Sequence, residues 1–155
     1  MIPRFDLPPE PHRRYVFRPG AYAVLLRGRS ILLTRQNGSD RALQLPGGGI
    51  DPGETPLRAL HREVYEETGW RMAVDRRLGS FRRFAFMPEY GIHAEKLCHI
   101  FLGRPGLRIG PPVEPDHDAV WMDADEAVTR LDNAGDAYFL ARFLRSGRGA
   151  VDHRH

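Results

Sequence analysis

The order of apolar and polar positions along the chain predicts short strands interrupted by a few helices. Short apolar runs bounded by Gly, Pro or Asp are typical of strands. A tight turn at 28–30 and a hairpin loop at 88–91 carry the Gly and Pro residues that such turns prefer. A longer loop is expected at 36–42. Strands are predicted near residues 14–18, 21–27, 30–35, 43–45, 73–87, 95–103 and 120–122.

The clearest helical pattern lies in the middle of the chain. Leu57, Leu60 and Val64 recur at helical spacing and form a narrow apolar stripe. Thr55 is the predicted N-cap, and a proline follows at the first helical position, where its missing N–H is tolerated. Gly69 stands where a left-handed residue would end the helix. The pattern therefore predicts one helix between these two caps.

Two more helices are predicted near the C-terminus. Asp123 can cap a helix over about 124–131, and a last helix over about 136–146 carries apolar side chains. Strands first, then a helix, strands again and finally helices are typical of an α/β fold. We expect a mixed β-sheet with helices packed on both of its faces.

Length and composition fit a single compact domain. The chain has 155 residues, of which 41% are apolar and 28% are charged. We expect the domain at 13–146, between a flexible, Pro-containing lead-in at 1–12 and a flexible tail at 147–155. The net charge of +3 suits an anionic ligand. Because the arginines are scattered, nucleic acid is not the expected partner, apart from RNA 5′ ends.

Cysteine usage and hydropathy indicate the compartment. Cys98 is the single cysteine, so no disulfide can form within the chain, and a reducing cytoplasm is expected. It stands in an apolar run and is expected in the core. The first twenty residues lack the continuous apolar stretch of a signal peptide, and no run is long enough to span a membrane.

Carboxylates crowd on one side of the central helix. Glu63, Glu66 and Glu67 fall within roughly one third of its circumference, beside the apolar stripe. Like charges at these spacings destabilise a bare helix by about a few tenths of a kcal/mol per pair. A solvated acidic face is the ordinary explanation, but residues 46–49 (Pro-Gly-Gly-Gly) let backbone groups approach a ligand closely. Together these features favour a divalent cation site.

This segment resembles the signature of the Nudix hydrolase family. The signature is a glycine, five residues, a glutamate, seven residues, then Arg-Glu-apolar-any-Glu-Glu-any-Gly-apolar. Upstream, Thr34-Arg35 and Leu45-Pro46-Gly47 extend the match. The resemblance implies the α/β/α sandwich of the Nudix fold. Every specified position matches, at Gly48, Glu54, Arg62, Glu63, Val64, Glu66, Glu67, Gly69 and Trp70.

The resemblance also implies an enzyme that hydrolyses phosphoric anhydride bonds with Mg²⁺, or with Mn²⁺ as the alternative ion. Arg62 is implied to act in catalysis by holding Glu54 or Glu63 in a bidentate pair. Arg35 and Gly48 are expected to contact the substrate. Glu63, Glu66 and Glu67 are implied both in catalysis and in metal binding. The implied metal ligands are the Gly47 carbonyl, Glu54, Glu63, Glu66 and Glu67.

A further acid from outside the signature is expected as a metal ligand or base. Its position is not fixed by spacing. We favour the cluster before the strand at 120–122, and Glu114 within it because its side chain reaches farther than an aspartate. The candidates are Glu89, Glu95, Glu114, Asp116 and Asp118.

The implied substrate is a nucleoside diphosphate linked to another moiety. Oxidised nucleoside triphosphates, ADP-ribose, nucleotide sugars, dinucleoside polyphosphates and 5′-triphosphorylated RNA remain open, as do the monomeric and homodimeric states. An isopentenyl-diphosphate isomerase would need a catalytic cysteine in a different context from Cys98. A nucleotide- or RNA-binding sensor without turnover usually has damaged carboxylates, whereas all four are intact here.

Overall fold

The computed structural model describes residues 1–36 and 43–152, with side chains described up to residue 146. Within these residues, three helices accompany eight strands. Of the loop predicted at 36–42, residues 37–42 lie outside the described part, and Gln36 is the last residue of a strand. The strands are β1 (Arg4–Phe5), β2 (Val16–Arg27), β3 (Ser30–Gln36), β4 (Leu43–Gln44), β5 (Gly47–Gly49), β6 (Trp70–Met87), β7 (Ile92–Arg108) and β8 (His117–Asp123). The helices are α1 (Pro56–Thr68), α2 (Ala124–Arg130) and α3 (Ala134–Asp152).

The described strands form one mixed sheet in the order β1-β6-β7-β2-β3-β4. The strand β5 pairs with β2, and β8 pairs with β3. Residues 16–25 of β2 run parallel to 94–103 of β7, and β1 runs parallel to β6. The remaining pairs are antiparallel, including the long β6–β7 hairpin. This arrangement confirms the predicted mixed sheet.

Two apolar layers lie on opposite faces of the sheet, because successive residues of β2 point to opposite sides. Ala23 and Leu25 pack against Leu60 and Val64 of α1. Val24 belongs to the other layer, where the sheet packs against α2 and α3. Helices therefore cover both faces, which confirms the predicted α/β/α sandwich.

Both ends of α1 have the predicted caps. The Thr55 side chain accepts a hydrogen bond from the Arg58 amide at 3.2 Å. At the other end, Gly69 adopts a φ of 77° and donates its amide to the Tyr65 carbonyl at 2.8 Å. A Cβ at position 69 would lie 2.0 Å from the Gly110 carbonyl oxygen, so both the backbone conformation and the space require glycine.

Several strands begin or end at residues other than those predicted. The two strands predicted at 14–18 and 21–27 are one strand, β2. Pro19, between the two predicted strands, cannot donate a ladder hydrogen bond, but it stays in register with Leu97, and its carbonyl accepts from the Ile50 amide at 3.0 Å. The strand predicted at 120–122 begins earlier, at His117.

Differences also occur at the two ends of the chain. The helix predicted over 136–146 runs from Ala134 to Asp152. The strand β1 lies inside the predicted lead-in, where it pairs with residues 82 and 83 of β6. Two residues are too few for a hydrophobic pattern, so the sequence gives no sign of β1. Among the described residues, no helix is both long and apolar enough to cross a membrane.

Candidate active site

Residues 46–49, the glycine turn, contact α1 at its glutamates. Glu67 is only 8% exposed, and its Oε1 accepts a hydrogen bond from the Gly47 amide at 2.9 Å. Glu63 lies directly over Gly48, where an added Cβ would stand 2.5 Å from the Glu63 carboxyl carbon. The turn can approach the helix this closely because Gly48 has no side chain, whereas a Cβ at Gly47 would lie 2.2 Å from the Ala21 carbonyl oxygen of β2. Gly47 and Gly48 therefore place backbone groups against the carboxylates of α1.

Replacing Gly48 with alanine is expected to lower kcat at least about tenfold, because the new methyl group must displace the Glu63 carboxylate. The measurement is kcat on a nucleotide that the wild-type protein hydrolyses. Gly49→Ala is the matched control, since nothing lies within 4 Å of a Cβ at that position. Equal activities of the two variants would show that Glu63 does not depend on Gly48.

Arg62 joins the turn to the carboxylates through one guanidinium group. Its Nε and Nη2 donate to the two carboxylate oxygens of Glu54, each at 2.8 Å. The resemblance left Glu54 and Glu63 open as partners of a bidentate pair, and in the structure the partner is Glu54. Its Nη1 donates to Glu63 at 2.9 Å and to Glu66 at 3.3 Å, and Nη2 also donates to the Gly49 carbonyl at 3.2 Å. Arg62 thus fixes the relative positions of three glutamates.

The glutamates differ in how easily they ionise. Hydrogen bonds from Arg62 lower the pKa of Glu54 to about 2. Burial raises the pKa of Glu67 to about 8, and repulsion from Glu63, Glu114 and Glu66 adds to this effect. Burial also raises the pKa of Glu63. The buried side of the cluster therefore holds more negative charge than its surroundings stabilise.

A hard divalent cation fits this donor set. In the described part of the chain, no group of three or more His, Cys, Asp or Glu side chains is arranged to hold an ion as it stands. Arg62 instead engages Glu54, Glu63 and Glu66. The available donors are carboxylate and carbonyl oxygens, which Mg²⁺ prefers. Both oxygens of Glu54 are taken by Arg62, so metal ligation by Glu54 would require that pair to open.

The loop before β8 also reaches α1. The Glu114 amide donates to the Glu66 carbonyl at 2.9 Å, and the Ile109 amide donates to the Gly69 carbonyl at 2.8 Å. The Glu114 carboxylate is close enough to raise the pKa values of Glu63 and Glu67. The structure therefore brings Glu114 to the glutamate cluster.

The other predicted site residues have different surroundings. Arg35 lies on β3, with its Nη2 3.7 Å from a carboxylate oxygen of Asp118 on β8. Glu95 lies on β7, 3.8 Å from Arg82. Glu89 is exposed in the hairpin turn. Glu89 and Glu95 thus belong to the β6–β7 hairpin and its turn, whereas Asp118 pairs with Arg35 on the strands next to the site.

One residue beside Glu67, His117, was not predicted at the site. His117 Nδ1 lies 3.1 Å from the Thr34 hydroxyl and 3.7 Å from Glu67 Oε2. The histidine spacings do not indicate a zinc site, and the predicted strand began only at 120. Extending the strand pattern back to 117 would have placed His117 and Ala119 on one face, and in the structure Ala119 is the partner of Thr34.

Comparison with known proteins identifies the family. The family model of the NUDIX domain matches residues 16–143. A curated relative from Bacillus subtilis (strain 168), described as a candidate 8-oxo-dGTP diphosphatase, is 31% identical over 88 residues. The match covers 57% of this chain and 54% of the relative, so the chain spans about half the length of that relative.

Solved structures share the fold. A NUDIX hydrolase from Nitrosomonas europaea superposes with a TM-score of 0.66 at 21% identity, covering 83% of this chain and 89% of that one. A MutT NUDIX hydrolase from Burkholderia pseudomallei gives 0.60 at 25% identity, covering 81% and 97%. With the family model spanning most of the chain, and the signature glutamates and glycine turn in contact, the protein belongs to the Nudix hydrolase family.

Proposed function

We propose that the protein is a magnesium-dependent pyrophosphohydrolase that cleaves a nucleoside diphosphate linked to another moiety by attack of water at phosphorus. The observation that carries this proposal is the contact between the glycine turn and the α1 glutamates, organised by Arg62. The raised pKa values of Glu63 and Glu67 add support, since a bound cation would offset their charge.

The site residues have separate roles in this proposal. Glu63, Glu66, Glu67 and the Gly47 carbonyl would hold the ion, and Glu114 would join them from the loop before β8. When bound, Mg²⁺ would neutralise diphosphate charge and lower the pKa of the attacking water. One of the glutamates would accept a proton from that water. Because the closely spaced carboxylates titrate as a coupled set, the base belongs to the set and not to one residue.

Arg62 and the turn would keep this arrangement in register. Glu54 occupies the Nε side of the guanidinium through two hydrogen bonds, which leaves Nη1 directed at Glu63 and Glu66. Gly48 would present its backbone to the substrate, and the partly exposed Arg35 would meet a phosphate. Positioning of this kind contributes much of the catalysis of phosphoryl transfer.

The substrate is proposed at the level of a class. Candidates are nucleoside triphosphates, including oxidised ones, ADP-ribose, nucleotide sugars and dinucleoside polyphosphates. The description of the B. subtilis relative makes 8-oxo-dGTP the first compound to test. We also propose a cytoplasmic location, in keeping with the free, buried thiol of Cys98.

The test is a panel of these nucleotides with Mg²⁺, followed by detection of released phosphate, pyrophosphate or nucleoside monophosphate. At least one compound should be hydrolysed, and EDTA should abolish turnover, because without a cation the carboxylates repel the anionic diphosphate. Manganese should restore activity to the EDTA-treated protein in part or in full. Tight binding without turnover across the whole panel would support a nucleotide sensor instead.

A further inference from the structure

A buried carboxylate lies in the apolar layer between the sheet and α3. Asp136, in the first turn of α3, is only 3% exposed. Its Oδ2 accepts a hydrogen bond from the Leu45 amide at 3.4 Å. Removing a carboxylate from water is unfavourable unless the group is fully paired. An apolar residue of similar size would avoid that penalty but would leave the buried Leu45 amide without this acceptor, so Asp136 and Leu45 form a polar link inside an apolar layer.

The contact does not require the carboxylate to be charged. Burial raises the pKa of Asp136 to about 7, while the Leu45 amide and the cations Arg83 and Lys96 only partly oppose this effect. A protonated carboxyl group still has an oxygen that accepts a hydrogen bond. Asp136 can therefore hold the Leu45 amide in either protonation state.

Leu45 belongs to a short segment, residues 43–47, that leads from β4 into the glycine turn. The start of the segment is bound where α2 leads into α3, because the Asp132 amide donates to the Leu43 carbonyl at 3.0 Å. Its end is bound to the site, because the Gly47 amide donates to Glu67 at 2.9 Å. In the middle of the segment, Asp136 accepts from the Leu45 amide, and the next residue, Pro46, accepts at its carbonyl from the Ala23 amide of β2 at 2.9 Å. The segment thus links the start of α3 to a proposed metal ligand.

The start of α3 lies close enough to the sheet for this link. A Cβ at Gly135 would stand 2.4 Å from the Phe81 ring, so a larger residue would push the helix away. The Asn133 side chain accepts from the Gly135 amide at 2.8 Å and from the Asp136 amide at 3.4 Å. These contacts fix the first turn of α3, and with it the Asp136 carboxylate.

We propose that Asp136 is a positioning residue for the proposed reaction: by holding the Leu45 amide, it keeps Gly47 in place against Glu67 and so helps set metal affinity. This inference rests on the proposed function. Without the carboxylate, the buried Leu45 amide would lose its acceptor, and the segment would move to find another. Groups that orient metal ligands from outside typically change metal affinity or activity by about 10- to 100-fold.

The test compares Asp136→Leu, which removes the acceptor at similar size, with Asp136→Asn, which keeps an acceptor oxygen. Asp136→Leu should raise the Mg²⁺ concentration for half-maximal activity about tenfold. It should also speed amide hydrogen exchange at Leu45 and Gly47. Asp136→Asn should stay within about twofold of wild type on both measures, because the hydrogen bond is retained. Leu144→Ala, a partly buried change in the same helix, controls for loss of packing.

Three results would overturn the inference. The first is wild-type Mg²⁺ dependence and exchange in Asp136→Leu. The second is equal impairment of Asp136→Asn and Asp136→Leu, which would make the charge, and not the hydrogen bond, the essential property. The third is the same shift in Leu144→Ala. If wild type hydrolyses no compound of the panel, the proposed function fails, while hydrogen exchange and calorimetric Mg²⁺ binding by the same variants still decide the role of Asp136.

Discussion

Replacing Glu67 with glutamine is expected to lower kcat about 100-fold or more, because it removes one charge from the group that stabilises the transition state. The change keeps the size of the side chain and an oxygen that can accept from the Gly47 amide, so the turn should stay in place. The measurement is kcat at saturating Mg²⁺, with Glu126→Gln on the exposed surface of α2 as the control. Wild-type kcat in Glu67→Gln would remove Glu67 from the catalytic set.

When both proteins are free of metal, Glu67→Gln should have a higher free energy of unfolding than wild type. The pKa of Glu67 rises from an ordinary 4.5 to about 8 on folding. An acid with a raised pKa binds more protons in the folded state, so folding stability falls as the pH rises through this range. Metal-free wild type should therefore lose stability between about pH 4.5 and 8, and Glu67→Gln should lose less. Thermal unfolding in EDTA at several pH values measures the difference. An equal change of Tm with pH in the two proteins would contradict the prediction.

The second large effect is expected at Glu114. Glu114→Gln should lower kcat about 10- to 100-fold and weaken Mg²⁺ activation, because the backbone contact with Glu66 and the effect on Glu63 and Glu67 place this carboxylate at the cluster. Glu95→Gln should behave as wild type, since Glu95 lies beside Arg82. Glu89→Gln, at an exposed turn position, should do the same.

Asp116→Asn and Asp118→Asn should be measured for kcat and Mg²⁺ dependence beside the variants of Glu114, Glu95 and Glu89. Wild-type behaviour of all three acids of the 114–118 cluster, combined with a severe defect in Glu95→Gln or Glu89→Gln, would place the additional acid on the hairpin. A defect confined to Asp116→Asn or Asp118→Asn would show that the additional acid lies in the 114–118 cluster but is not Glu114. Measuring kcat and the Mg²⁺ dependence separately distinguishes a ligand from a base.

Features determined by neighbouring residues could be predicted from the sequence. The caps of α1 lie within a few residues of the groups they satisfy, so Thr55 and Gly69 were identified correctly. The contact of Arg62 with Glu54 spans eight residues, and the signature spacing encodes it. The glycine turn could also be predicted from nearby residues, because its close approach to α1 requires a residue without a side chain at a fixed position.

Features determined by distant pairing could not be predicted. Thr34 and His117 are 83 residues apart, and only the register of β3 with β8 brings them together. Leu45 and Asp136 are 91 residues apart and meet because α3 lies close over β6. Glu114 was favoured for the length of its side chain, whereas in the structure it is a main-chain hydrogen bond that brings it to α1. A local pattern can place such a residue on a strand or helix face, but it does not name the distant partner.

The attachment of the 109–114 loop to α1 has a consequence for how this protein can diversify. Its two described anchors, from the Ile109 and Glu114 amides to the Gly69 and Glu66 carbonyls, use main-chain atoms alone. Such bonds form with nearly any side chain, so residues 110–113 can be exchanged or recombined while position 114 stays beside the helix. Evolution or laboratory selection can therefore reshape the surface of this loop without first rebuilding the chemistry next to it.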